Sequence, residues 1–330
     1  MKKLFFFTLI SCLGAFAKPL VTTTILPTKY FVERIAGDSL EVVSLVEKGA
    51  DPHTYEPKPN QMKSVEKSEL HFAVGIEFDE IWLPRLQKQF PNLVIVNTDE
   101  NIKKIPMIAH HHHDHDSDDL HEHENHADHN HHDENHDAIH EHESHEVEHH
   151  NEHHDEDKHH EHHHHCDHGG VDPHIWLDPS LVKKQAVNIA NALIKKYPQN
   201  KELFESNLNK FNKDLDSFDK NTAKKLKNLK SNKFMVYHPS WGYFAARYNL
   251  VQIPIEIEGK EPKPADLKEL INKAKDEEIK VIFVAPQFSK KAANMIAKQT
   301  GAKVVEIDQL PENWLSEMQK TVDIFAEILK

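Results

Sequence analysis

The sequence predicts an α/β fold of two lobes, each a four-stranded, mainly parallel sheet with helices, joined by a long rigid helix. Short β-branched runs alternate with helical stretches, the order that builds βαβ units. The alternation occurs twice. Between the two sets lies one long stretch whose apolar residues recur in steps of three and four.

In chain order, Lys2 and Lys3 precede the apolar run Leu4 to Ala17, which ends Ala15-Phe16-Ala17. A positive start, a short apolar core and a small-x-small site predict a signal peptide cleaved after Ala17, and hence an exported, periplasmic protein. The run is too short to cross a bilayer. The competing reading takes Leu9-Ile10-Ser11-Cys12 as a lipobox with a lipid on Cys12. The clean Ala-x-Ala site and the lack of a tether before the first strand argue against it.

Leu20 to Thr24 reads as a strand, Pro27 to Ala36 as a helix stopped by Gly37, and Leu40 to Val46 as a second strand. Pro59 at a first helical turn opens Asn60 to Ser68. Leu70 to Val74 is a third strand, Glu80 to Phe90 a helix and Leu93 to Asn97 a fourth strand. Residues 110–168 then hold 26 of the 30 histidines, with 20 Asp or Glu and a single Lys. Too few apolar residues remain to bury a core, so the tract reads as a disordered insertion in the first lobe. It outweighs the whole net charge of −14. The rest is nearly balanced, and no basic patch argues for nucleic acid. If Cys12 leaves with the signal, Cys166 in the tract is the one cysteine left, and no disulfide within the chain can form.

Asp178-Pro179 looks like an N-cap followed by proline at the first helical position, opening a helix to about Tyr197. The long stretch follows from Lys201 to Leu229; as a helix its residues would span roughly 43 Å. Phe234 to Tyr237, Val251 to Ile257, Val281 to Ala285 and Val304 to Ile307 are the second set of strands. Trp241 to Tyr248, Pro264 to Glu277, Lys290 to Gln299 and Asn313 to Leu329 are its helices. The expected organisation is a signal at 1–17, a first lobe at 18–200 carrying the insertion, a linking helix at 201–229 and a second lobe at 230–330. Outside the tract the chain is long enough for two modest domains with their own cores.

Four histidines lie outside the tract: His53, His71, His174 and His238. Three sit beside proline, in Asp51-Pro52-His53, Asp172-Pro173-His174 and His238-Pro239, where the backbone is restrained. Ligands of open parallel sheets bind beyond the carboxyl ends of the strands. His53 follows the second strand, His174 the fourth across the insertion, and His238 the first strand of the second lobe; Asp308 follows its last strand. Three imidazoles and one carboxylate suit a four-coordinate zinc in a cleft between the lobes. His71, inside the third strand, reads as structural, and Trp176 and Trp241 as wall or core residues.

The segments around His53 (Gly49 to Pro57), His174 (Asp172 to Pro179) and His238 (His238 to Phe244) resemble the signature segments of the ZnuA/TroA-type metal-binding receptors of bacterial ABC importers. Val284-Ala285-Pro286-Gln287-Phe288 is similar to that family as well. The resemblance implies metal in the cleft, no enzymatic activity, and delivery to a membrane permease driven by an ATPase. Zinc members carry an acidic, histidine-rich loop before the second ligand, as here, and manganese members place a carboxylate where this chain has His238. The paired cysteines of some zinc members are absent. A monomer that captures Zn2+ is expected.

Other classes make different demands. A zinc hydrolase needs an open metal position and a general base; there is no His-Glu-x-x-His, although Glu56 could act as a base. A storage or buffering protein built on the tract would have many weak sites and no tight one. Nickel, copper and manganese remain alternatives to zinc.

Overall fold

The computed structural model describes residues 18–107 and 170–330. The expected signal peptide, Cys12, Cys166 and the histidine-rich tract lie outside the described residues.

The first lobe is built from β1 (Leu20–Thr23), α1 (Leu26–Ala36), β2 (Glu41–Ser44), α2 (Pro59–Lys67), β3 (Leu70–Ala73), α3 (Glu77–Gln89) and β4 (Val94–Asn97). Helix α4 (Pro179–Lys196) and the long α5 (Lys201–Lys225) follow. The second lobe holds β5 (Lys233–Val236), α6 (Gly242–Arg247), β6 (Val251–Pro254), α7 (Pro264–Asp276), β7 (Val281–Val284), α8 (Lys291–Thr300), β8 (Lys303–Glu306) and α9 (Trp314–Leu329). The sheets run β2-β1-β3-β4 and β6-β5-β7-β8, and every pairing is parallel. In each, the order reverses beside the first strand, which opens a crevice at the carboxyl ends. Among the described residues no helix is long and apolar enough to cross a membrane.

Two boundaries differ from expectation for identifiable reasons. Helix α3 starts at Glu77 rather than Glu80, because the Asp79 carboxylate accepts the Ile76 N–H and caps the turn. Helix α5 is 25 residues, about 37 Å, and ends at Lys225. Leu226 continues the apolar stripe and is buried, but from a turn that reverses the chain into β5. The other elements lie where the sequence puts them, give or take a few residues at each end.

The expectation of two separate cores fails. One apolar cluster joins Val21, Phe31 and Phe72 of the first lobe to Phe234, Phe283 and Phe325 of the second. The cause is α5, which buries Phe204, Phe211, Leu215 and Phe218 between the lobes. The Phe31 ring lies 5.8 Å from Phe211 and 5.9 Å from Trp314, and Phe218 lies 5.3 Å from Trp314. A smaller cluster, with Met235, Ile255, Ile282 and Ile296, belongs to the second lobe alone.

Polar ties follow the same seam. The Trp176 indole donates to the Gln309 carbonyl and the Trp314 indole to the Trp176 carbonyl, each at 2.7 Å. Asp178 caps α4 by accepting the Ser180 N–H at 2.7 Å. Arg247 from α6 reaches both Asp178 and Asp219 of α5.

Candidate metal centre

Asp51 and Asp172 each fold their loop in the same way: a carboxylate oxygen accepts the N–H of the histidine two residues on, at 3.1 Å for His53 and 2.9 Å for His174. This turn is the habit of Asp in such loops, and the intervening proline stiffens it. His238 sits two residues past β5, where Gln252 locks the turn by accepting the Trp241 N–H and donating to the Pro239 carbonyl.

The structure brings these three histidines together. His238 Nε2 lies 3.3 Å from His174 Nε2, and the His238 ring centroid is 5.2 Å from those of both His53 and His174. Two imidazole nitrogens on one tetrahedral zinc at about 2.0–2.1 Å stand roughly 3.3–3.4 Å apart, with ring centroids about 5 Å apart. The spacings fit a shared ion. The donors are gathered rather than closed: among the described residues no three His, Cys, Asp or Glu groups already form a coordination set.

Each ring is held from behind by a carboxylate on Nδ1: Glu77 on His53 at 2.9 Å, Asp172 on His174 at 2.8 Å, and Glu256 on His238 at 2.9 Å. Such a bond fixes the tautomer, leaves Nε2 as the free ligand atom and makes it more basic. Three carboxylates behind the three rings also favour a divalent cation over an anion. Sequence reasoning missed these roles. The signal was available, since Glu77 and Glu256 follow β3 and β6 as the histidines follow their strands.

Burial divides the rings. The His174 and His238 side chains are 4% and 3% exposed, His53 25%, so His53 marks the open side. Burial pulls His53 down, but the Glu77 hydrogen bond and the charges of Asp51, Glu77 and Glu256 outweigh it and leave the pKa raised. Burial wins at His174, helped by His238 and His53 against Asp172, and its pKa is lowered. Phe288 stacks on His238 at 5.1 Å and the Trp176 ring meets His174 at 5.1 Å, so the buried walls are aromatic.

Asp308 stands beyond β8. Its Oδ1 accepts the Leu310 N–H at 2.8 Å and the Gln287 amide at 3.1 Å. Among the described residues no hydrogen bond links it to the three histidines. His71 is elsewhere: wholly buried in β3, it places Nδ1 3.0 Å from the Thr22 hydroxyl and Nε2 3.2 Å from that of Thr24. Trp176 and Trp241 are core residues.

Known proteins share this architecture. Residues 21–328 match the family described as zinc-uptake complex component A, periplasmic. The high-affinity zinc uptake system protein ZnuA of Bacillus subtilis (strain 168) is 30% identical over 88% of this chain and 78% of its own length. The zinc-binding protein AdcA of Streptococcus pyogenes serotype M3 (strain ATCC BAA-595 / MGAS315) is 27% identical over 94% of this chain, which spans only 54% of that relative. A crystal structure of ZnuA superposes with a TM-score of 0.75 at 32% identity, covering 95% of this chain and 100% of that one. A ZnuA deletion mutant with zinc bound gives 0.74 at 32% identity, covering 95% and 99%. With matching segments from the first strand to the last helix, the chain belongs to the ZnuA family of periplasmic zinc-uptake components.

Proposed function

We propose that this chain captures Zn2+ outside the cytoplasm and hands it to the permease of an ABC-type importer, whose ATPase drives uptake. His53, His174 and His238 bind the ion through Nε2, and Asp308 or a water completes a four-coordinate shell. The observation that carries this reading is the set of three converging imidazoles, each with Nδ1 occupied by its own carboxylate. Neutral nitrogen donors at tetrahedral spacing favour zinc over manganese, which prefers oxygen. Proteins of this family are solute-binding receptors of a transport system, not enzymes. Glu56, the residue considered as a base for a hydrolase, is exposed three residues past His53.

Residues 1–17 serve as a cleaved signal peptide, and the mature chain acts as a monomer. The mass of the exported protein tests this: Lys18 as first residue supports it, whereas an acylated Cys12 replaces it with a lipid anchor. The test of the site is chelator-competition titration of the apo-protein with zinc, manganese and nickel. One tight zinc site is expected, lost in His53→Ala, His174→Ala and His238→Ala, and weakened less in Asp308→Ala because water can fill a fourth position. Many weak sites and no tight one would make the protein a buffer. Tight binding that survives all three histidine changes would place the ligands elsewhere.

A further inference from the structure

His174 and His238 come from different lobes, yet their Nε2 atoms are 3.3 Å apart. Something must hold two elements remote in sequence to within a few tenths of an ångström. The Tyr243 hydroxyl, five residues past His238 on α6, donates to the Asp172 carbonyl at 2.7 Å and accepts the Ile105 N–H at 3.1 Å. Asp172 N–H in turn donates to the Ile105 carbonyl at 2.7 Å, so three groups from two lobes close into a ring of hydrogen bonds. Asp172 is the residue whose Oδ1 takes both the N–H and the Nδ1 of His174. Its other oxygen occupies the space that a side chain at position 242 would need: a Cβ on Gly242 would overlap Asp172 Oδ2. Asp172, Tyr243 and His174 are 1%, 5% and 3% exposed, so water does not compete for these bonds. Burial, opposed by the Ile105 bond, pushes the Tyr243 phenol up to about 12, and its proton stays available to donate.

The segment 238–243 therefore carries one imidazole outright and grips the other through Asp172. We propose that Tyr243 and Gly242 are positioning residues that set the spacing of His174 and His238, and with it the affinity of the site for a tetrahedral ion. The inference rests on the three-histidine zinc site proposed above. Neither residue touches the ion. Tyr243 acts through the Asp172 backbone and Gly242 through the space left for its carboxylate; both place the group that holds His174, and loss of such a partner typically costs about 10–100-fold in metal affinity.

The experiment uses the full-length protein with Tyr243→Phe, which keeps the ring and deletes the hydroxyl, and Gly242→Ala, which drives a methyl against Asp172. Zinc affinity is read by chelator competition. Ligand geometry is read from the visible absorption of one equivalent of Co2+, whose tetrahedral band is intense and sensitive to distortion. Tyr243→Phe should lose about 10–100-fold in zinc affinity and weaken or shift the cobalt band, while the apo-protein melts within a few degrees of wild type. Gly242→Ala should move both readouts the same way. Wild-type zinc affinity and an unchanged cobalt spectrum in Tyr243→Phe would overturn the inference alone, whatever the melting temperature. A wild-type protein with no tight site, or one that keeps it in His174→Ala, would overturn this inference together with the site beneath it.

Discussion

Asp51-Pro52-His53 and Asp172-Pro173-His174 share three residues and one backbone hydrogen bond, yet their rings titrate in opposite directions. The difference lies in what surrounds each ring. His53 is half-open and faces Glu77, so its protonated form is favoured; His174 is buried, so its neutral form is. Zinc needs both neutral, and His53 is where protons compete first. Zinc affinity should thus begin to fall, on acidification, above the pH at which a free imidazole protonates. In Glu77→Gln the carboxylate that favours imidazolium is gone. Plateau affinity at high pH should drop about 10–100-fold, and the acid limb should shift to lower pH. Parallel curves for the two proteins would mean that Glu77 does not control His53. His71 gives the converse case. Burial lowers its pKa to about 3, and Thr24, which donates to Asp79, accepts from a ring nitrogen. The unfolded chain then binds the extra proton between about pH 6.5 and 3, so stability falls as pH falls through that window, by several kcal/mol in all. His71→Gln should flatten that slope in urea unfolding and leave zinc binding alone; an unchanged slope would assign the acid sensitivity to other groups.

At the scale of elements, period and punctuation in the sequence sufficed for the strands, the helices and the strand-end positions of the histidines. Asp178-Pro179 announced α4 and became its cap. Long-range packing was not legible. The apolar stripe of α5 says that a face is buried, not that it is buried by both lobes. For the same reason the carboxylates behind the rings were missed, since Glu77 and Glu256 are 24 and 18 residues from the histidines they hold. The shared core makes its own prediction. Phe211, wholly buried on α5, touches Phe31 and the Tyr30 ring and carries the Arg34 guanidinium over its face. Phe211→Ala should cost about 3–5 kcal/mol. Because one core serves both lobes, denaturant unfolding should remain a single transition in the variant, followed by any probe. Two separated transitions would show that the lobes fold independently after all.

For the whole molecule, the decisive property is that a bound ion would bridge loops from both lobes, so binding energy should appear as stability of the entire described chain. Free zinc at about 1,000 times its dissociation constant adds roughly 4 kcal/mol if the unfolded chain binds none. The tract at 110–168 breaks that condition. It holds 26 histidines, and its 20 Asp or Glu would concentrate divalent cations around it. Ligands supplied by so polar a sequence are available in the unfolded chain as well, so its sites should be numerous and weak. Removing residues 117–165 should therefore leave one tight zinc site, eliminate most of the weaker ones, and increase the rise in melting temperature that saturating zinc produces. The weak sites should also fade between pH 7.5 and 5.5 in the intact protein, as the tract's histidines protonate. Equal stoichiometry in the intact and deleted proteins at pH 7.5 would leave the tract as a solvated spacer. Loss of the tight site on deletion, or a melting temperature in the deleted protein indifferent to zinc, would remove the primary ligands from His53, His174 and His238.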